Sequence, residues 1–339
     1  METRKLQEVG GGTFTVSIPR AWAENNGFEV GMELQLYTHR DGSILVRSSD
    51  TDINCLDEAT IEAAGEGPEA VRRAVHTAHA IGFETIVLRQ SETFSDPMVK
   101  AVRSTVRDLI GANILTETDT EITIKYLLDT SSISIRQSIV QLQYAVASLL
   151  RDATDAFVDA VDTHERIHDR ADEARRSAEM VTRHFSRSLI SHAELDALDM
   201  SRDELFACYV IASRLKTVTD RAVEISSIGK KLSGPLANGV TTDICSVADD
   251  VACSVDNAAI AVLSGDMTNV QQARNRCDSA TETISAVESR LYDGNVTEST
   301  STSAALANTL SSFRQVAGCG HRMADVAAMA VLRDENIEV

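Results

Sequence analysis

Hydrophobic and polar positions change period several times along the chain. Thr13-Phe14-Thr15-Val16-Ser17-Ile18 alternates strictly, as does Glu33-Leu34-Gln35-Leu36-Tyr37, which predicts two half-buried strands. Asp41-Gly42 is a hairpin turn signal, and Ser43 to Arg47 returns from it as a third strand. Pro19 and Gly27 bracket one short predicted helix, Arg20 to Asn26. From Pro68 the spacing is helical: Val71, Val75, Ala78 and Ile81 share a face that Gly82 closes. A strand over 84–89 follows. Ser95-Asp96-Pro97 then opens a second helix with Val99, Val102, Val106 and Leu109, and Gly111 ends it. Residues 114–116 and 121–127 read as strands.

Beyond residue 131 the pattern is helical throughout. Ile135, Ile139, Leu142, Val146, Leu149, Ala153 and Phe157 step by three or four, the seam of a long bundle helix. Further helices are predicted over 165–189, from the capping box Ser201-Arg202-Asp203-Glu204 to Leu232, and over 243–264, 267–291 and 301–332. Val218 to Ser226 aligns with Val316 to Ala324, so the third helix of each trio repeats. The fold class expected is α+β overall and mostly α. Its parts are a β-rich module at 1–50, a small α+β connector at 66–128 and two tandem three-helix bundles at 131–235 and 240–335.

Composition narrows the function. The 339 residues are 43% hydrophobic and only 4% aromatic, which suits Ala/Val/Leu/Ile helix packing. Net charge is −19, with Arg far outnumbering Lys, a balance that fits a salt-rich, halophilic cytoplasm. Six scattered cysteines, Cys55 among them, form no CxxC pair and read as reduced thiols. No apolar leader and no run of about 20 apolar residues occurs, so a soluble cytoplasmic protein without membrane insertion is expected.

Fifty residues with few apolar side chains fold poorly alone, which argues for a homodimer at the N-terminus. The stretch Arg4-Lys5-Leu6 through Gly10-Gly11-Gly12 and Thr13-Phe14-Thr15-Val16-Ser17-Ile18-Pro19-Arg20, with Gly27 and Val30-Gly31-Met32-Glu33-Leu34, resembles the AbrB/SpoVT family. The resemblance implies a swapped-hairpin dimer that binds DNA. Arg4, Lys5 and Arg20, set against Glu2 and Glu8, form a locally basic patch suited to phosphate contact. With Thr13 and Thr15 on the matched strand they are the candidate DNA-binding residues.

The helical region resembles PhoU, the phosphate-uptake regulator, in its two trios and in the Asp220-Arg221-Ala222 stretch of the third helix. That resemblance implies phosphate homeostasis and docking on a phosphate-transport ATPase or a signalling protein. It also implies carboxylate motifs that hold a divalent or iron-type metal. Here Lys216 stands where the leading acid would be and Gly318 replaces the second copy's Asp, which leaves Asp220 and Glu224 as the metal candidates. Pairing of that face with Lys216 or Arg221 is the plainer expectation.

His164-Glu165-Arg166-Ile167-His168 fits the zincin pattern His-Glu-x-x-His, with Asp172 as a third donor, but its surroundings are highly charged. His76 and His79 read as surface or core-edge residues. The connector holds no Gly-rich phosphate loop and no cluster of catalytic types. The reading is therefore a non-enzymatic DNA-binding regulator with no required cofactor. A protein-only adaptor restraining a transporter or kinase is the alternative, and a zinc hydrolase the remote one.

Overall fold

The computed structural model describes residues 3–38, 43–48, 56–63, 65–297 and 299–336. The predicted Asp41-Gly42 turn and Cys55 lie outside these residues. The chain divides into two compact units, Met1–Cys55 and Leu56–Val339, and is mostly helical with a few strands in small sheets.

In the first unit β1 (Gln7–Val9) pairs antiparallel with β2 (Thr13–Thr15) in the register Gln7↔Thr15 and Val9↔Thr13. Gly10 and Gly11 turn the chain between them with positive φ, which glycine adopts at no steric cost. The strand predicted over 13–18 is thus shorter, and β1, whose Gln-Glu-Val does not alternate, carries no periodic signal. A short helix α1 (Arg20–Asn25) follows Pro19. β3 (Leu34–Thr38) and β4 (Ile44–Ser48) pair antiparallel.

The second unit opens with a four-stranded sheet in the order β5-β6-β8-β7. β5 (Glu58–Glu62) runs parallel to β6 (Thr85–Arg89), and α2 (Pro68–Ile81) is the crossover between them. Next come α3 (Asp96–Asp108), β7 (Ala112–Glu117) and β8 (Glu121–Tyr126); β8 lies antiparallel to both β6 and β7. Val71, Val75 and Ala78 of α2 and Val102 and Val106 of α3 share one core with Ile86, Leu88, Ile122 and Ile124 of the sheet.

The helices that follow are α4 (Ile135–Val158), α5 (His164–Ser188), α6 (His192–Leu198), α7 (Arg202–Gly229), α8 (Asn238–Ser264), α9 (Met267–Tyr292) and α10 (Thr300–Asn336). The seam Ile135, Ile139, Leu142, Val146, Leu149, Ala153 and Phe157 is buried throughout. The capping box forms: Ser201 Oγ accepts from the Glu204 amide while the Glu204 carboxylate accepts from the Ser201 amide. α4, α5 and α7 pack on one another, as do α8, α9 and α10, and α4 with α8 and α7 with α10 join the two sets. Along the aligned stretches Val218–Ser226 and Val316–Ala324 the burial agrees at every position except half-buried Arg221 opposite buried Cys319. Among the described residues no helix is long and apolar enough to cross a membrane.

Candidate functional site

The candidate nucleic-acid residues lie together in the first unit. Arg4 and Lys5 lead into β1, and both are exposed. Thr13 and Thr15 are two apart on β2, so their side chains share a face and Phe14 takes the other. Thr15 Oγ1 lies 3.5 Å from the Gln7 carbonyl. Arg20 opens α1, and its Nε donates to Glu24 Oε1 at 2.7 Å. Both of those side chains are largely exposed, so the pair is weak. The same unit leaves a set of large apolar side chains in solvent. Val9, Phe14, Val16, Leu36 and Ile44 are each more than half exposed, Phe14 at 67%. Large apolar side chains left exposed in such number mark surface made to be covered.

Asp220 and Glu224 sit one turn apart on α7 but face different partners. Arg175 from α5 grips Asp220 at 2.8 Å and also reaches Asp172. Glu224 takes Arg221 at 2.5 Å and accepts from Ser312 Oγ of α10 at 3.1 Å. Lys216 pairs with neither; it binds Glu179 of α5 at 2.8 Å. The His164 and His168 rings stack with centroids 6.0 Å apart at the start of α5. His164 Nδ1 lies 3.4 Å from the hydroxyls of both Ser226 and Ser227, and His168 lies 3.8 Å from Asp172. No three His, Cys, Asp or Glu side chains among the described residues converge as a metal site would require.

A polar network that the sequence pattern did not single out joins the sheet to α5. Arg183 is fully buried; its guanidinium donates to the carbonyls of His79 at 2.7 Å and Phe83 at 2.9 Å and lies 4.0 Å over the Tyr126 ring. Burial lowers its pKa to about 10, still charged at neutral pH. Arg187 donates to the Gly82 carbonyl at 2.6 Å and to Glu194 Oε2 at 2.9 Å. Glu194, on α6, also meets His184 at 2.5 Å. Burial opposes its ionisation, but the bonds to His184 and Arg187 outweigh this and hold the carboxyl below its ordinary range.

Gly82 closes α2 at φ +112°, and an added Cβ would fall inside the Arg187 side chain. His79, expected at the surface or core edge, is instead buried under this network at 4% exposure. Burial first, and the charge of Arg183 second, press its pKa down to about 3, so it is neutral. Hydrophobic periodicity misses it because it occupies a core position with a polar residue. The run of arginines on α5 is the one clue in the sequence, and it reads equally well as a solvated helix face.

The chain matches no protein-family model, and no curated protein or solved structure shows significant similarity to it.

Proposed function

We propose that the chain is a DNA-binding regulator of phosphate uptake and phosphate homeostasis, acting as a homodimer. Its β-rich N-terminal unit contacts DNA, and its helical region, read as two tandem three-helix bundles of PhoU type, senses or docks. The observation that carries DNA contact is the coincidence, in one small unit, of several uncovered apolar side chains with exposed Arg4, Lys5 and Arg20, which lie at the open end of the β1–β2 hairpin. A second copy covering those side chains would bring two basic patches onto one duplex and make the second contact intramolecular. The matching burial of Val218–Ser226 and Val316–Ala324 supports a repeated body. Assignment to phosphate rests on the resemblance of that body to PhoU. Asp220 and Glu224 enter this reading as an ion-paired face.

The alternative of a protein-only adaptor draws on the pairing of Arg20 with Glu24. Electrophoretic titration of the full chain against its own upstream DNA separates the two. In the DNA-binding reading, an Arg4→Glu/Lys5→Glu/Arg20→Glu variant loses affinity. The slope of its affinity against log salt also flattens, by about one for each phosphate it no longer neutralises. Equal affinity of variant and parent leaves the unit as a dimerisation device.

A further inference from the structure

Where α2 meets α5 and α7, a cavity of about 490 Å³ is lined by Arg72, Arg73, His76 and Thr77 of α2, Glu179 and Thr182 of α5, and Lys216 of α7, with His79 contributing from the core side. The chain as a whole carries −19, yet here three permanent cations meet a single carboxylate. Glu179 is already shared: one oxygen takes Lys216 at 2.8 Å and the other faces His76 at 3.8 Å. Arg72 has only a long 3.6 Å contact with exposed Glu69. Arg73 has no ion pair among the described residues. In so acidic a molecule, uncompensated cations gathered in a concave site concentrate anions against the overall field. Arginine forks suit the planar spread of phosphoryl oxygens, and a lysine adds a point charge to them. The volume exceeds what one tetrahedral oxyanion needs, so it accommodates either free phosphate with water or the phosphates of a larger ligand.

We propose that this cavity is a phosphoryl-binding site, with Arg72, Arg73 and Lys216 as the cationic contacts and Glu179 as the group that holds Lys216 in place and limits affinity. Because α2 belongs to the sheet core and α5 and α7 to the helical core, a bound phosphoryl group would tie the two together. That would give the proposed sensing of phosphate status a physical element. Its physiological meaning rests on the proposed function, but binding itself is read without DNA, so either can fail alone.

Calorimetric titration of the full chain at fixed ionic strength, with inorganic phosphate, ATP and adenosine in turn, tests it. Saturable binding of phosphate identifies the free anion as ligand, and binding of ATP alone identifies a nucleotide; adenosine does not bind in either case. Arg73→Gln, an exposed change, weakens binding by about tenfold or more, the scale of one charge-assisted hydrogen bond. Glu179→Gln strengthens it, an opposite sign that a folding defect does not produce. Absence of saturable binding by either anion, equal binding of adenosine and ATP, or unchanged affinity in Arg73→Gln overturns the proposal.

Discussion

At the scale of single residues, two helical glycines show how packing decides between opposing effects. Replacing a mid-helix glycine by alanine favours the helix by about 1 kcal/mol. At Gly318 on α10 an added Cβ meets nothing within 4 Å, so Gly318→Ala raises the denaturation midpoint by an amount on that scale. At Gly229, the last residue of α7, the added Cβ would lie 2.8 Å from the Phe157 backbone of α4. Backbone cannot yield as a side-chain tip can, and overpacking costs about 1–3 kcal/mol. Gly229→Ala therefore destabilises despite its better propensity. Chemical denaturation of the two variants in parallel checks the pair, and like signs would contradict this account of the α4–α7 packing. Nothing in the sequence distinguishes these glycines, because the approach that separates them runs from residue 157 to residue 229.

Among elements, the seam between the sheet and α5 is where buried charge sets stability. His79 is neutral in the fold, with its pKa pressed from 6.5 to about 3. The unfolded chain therefore binds a proton that the folded chain refuses, and stability falls as pH drops from about 6.5 toward 3. Glu194 adds its own loss only below the ordinary carboxylate range, as its lowered pKa is approached. At this seam the slope between about pH 4.5 and 6.5 thus belongs to His79. His79→Leu should flatten it, and because the buried Nε2 has no hydrogen-bond partner the change removes an unsatisfied polar group and costs little at neutral pH. Urea midpoints at pH 5 and pH 7.5 read both effects, and a parallel slope in variant and parent would count against the assignment.

Much of this element scale is legible in the sequence. The seam from Ile135 to Phe157, the Ser201 capping box and the Gly82 stop all lie where local spacing puts them. What escapes is β5, whose Glu-Ala-Thr-Ile-Glu alternates polar and apolar over only five residues and is fixed by its pairing with distant β6, together with β1 and the short α6. The buried seam network escapes for the same reason: arginines on a helix look solvated until a distant carbonyl or carboxylate meets them. The candidate DNA residues come from a resemblance, and the fold adds their common location in the first unit, which also leaves large apolar side chains exposed.

The whole molecule has two compact units with different surfaces: one small, β-rich and incompletely covered, the other large and mostly helical. A regulator built this way needs a dimer at the first unit and two states of the second that differ in affinity for a phosphate signal or a partner. The central claim is that the chain occupies DNA in response to phosphate. Genome-wide occupancy of the tagged full-length protein in phosphate-rich and phosphate-starved cells tests it most directly. The account predicts discrete sites near phosphate-transport genes whose occupancy changes between the two conditions. Absence of enrichment in both would contradict it and place the function in protein–protein contact alone.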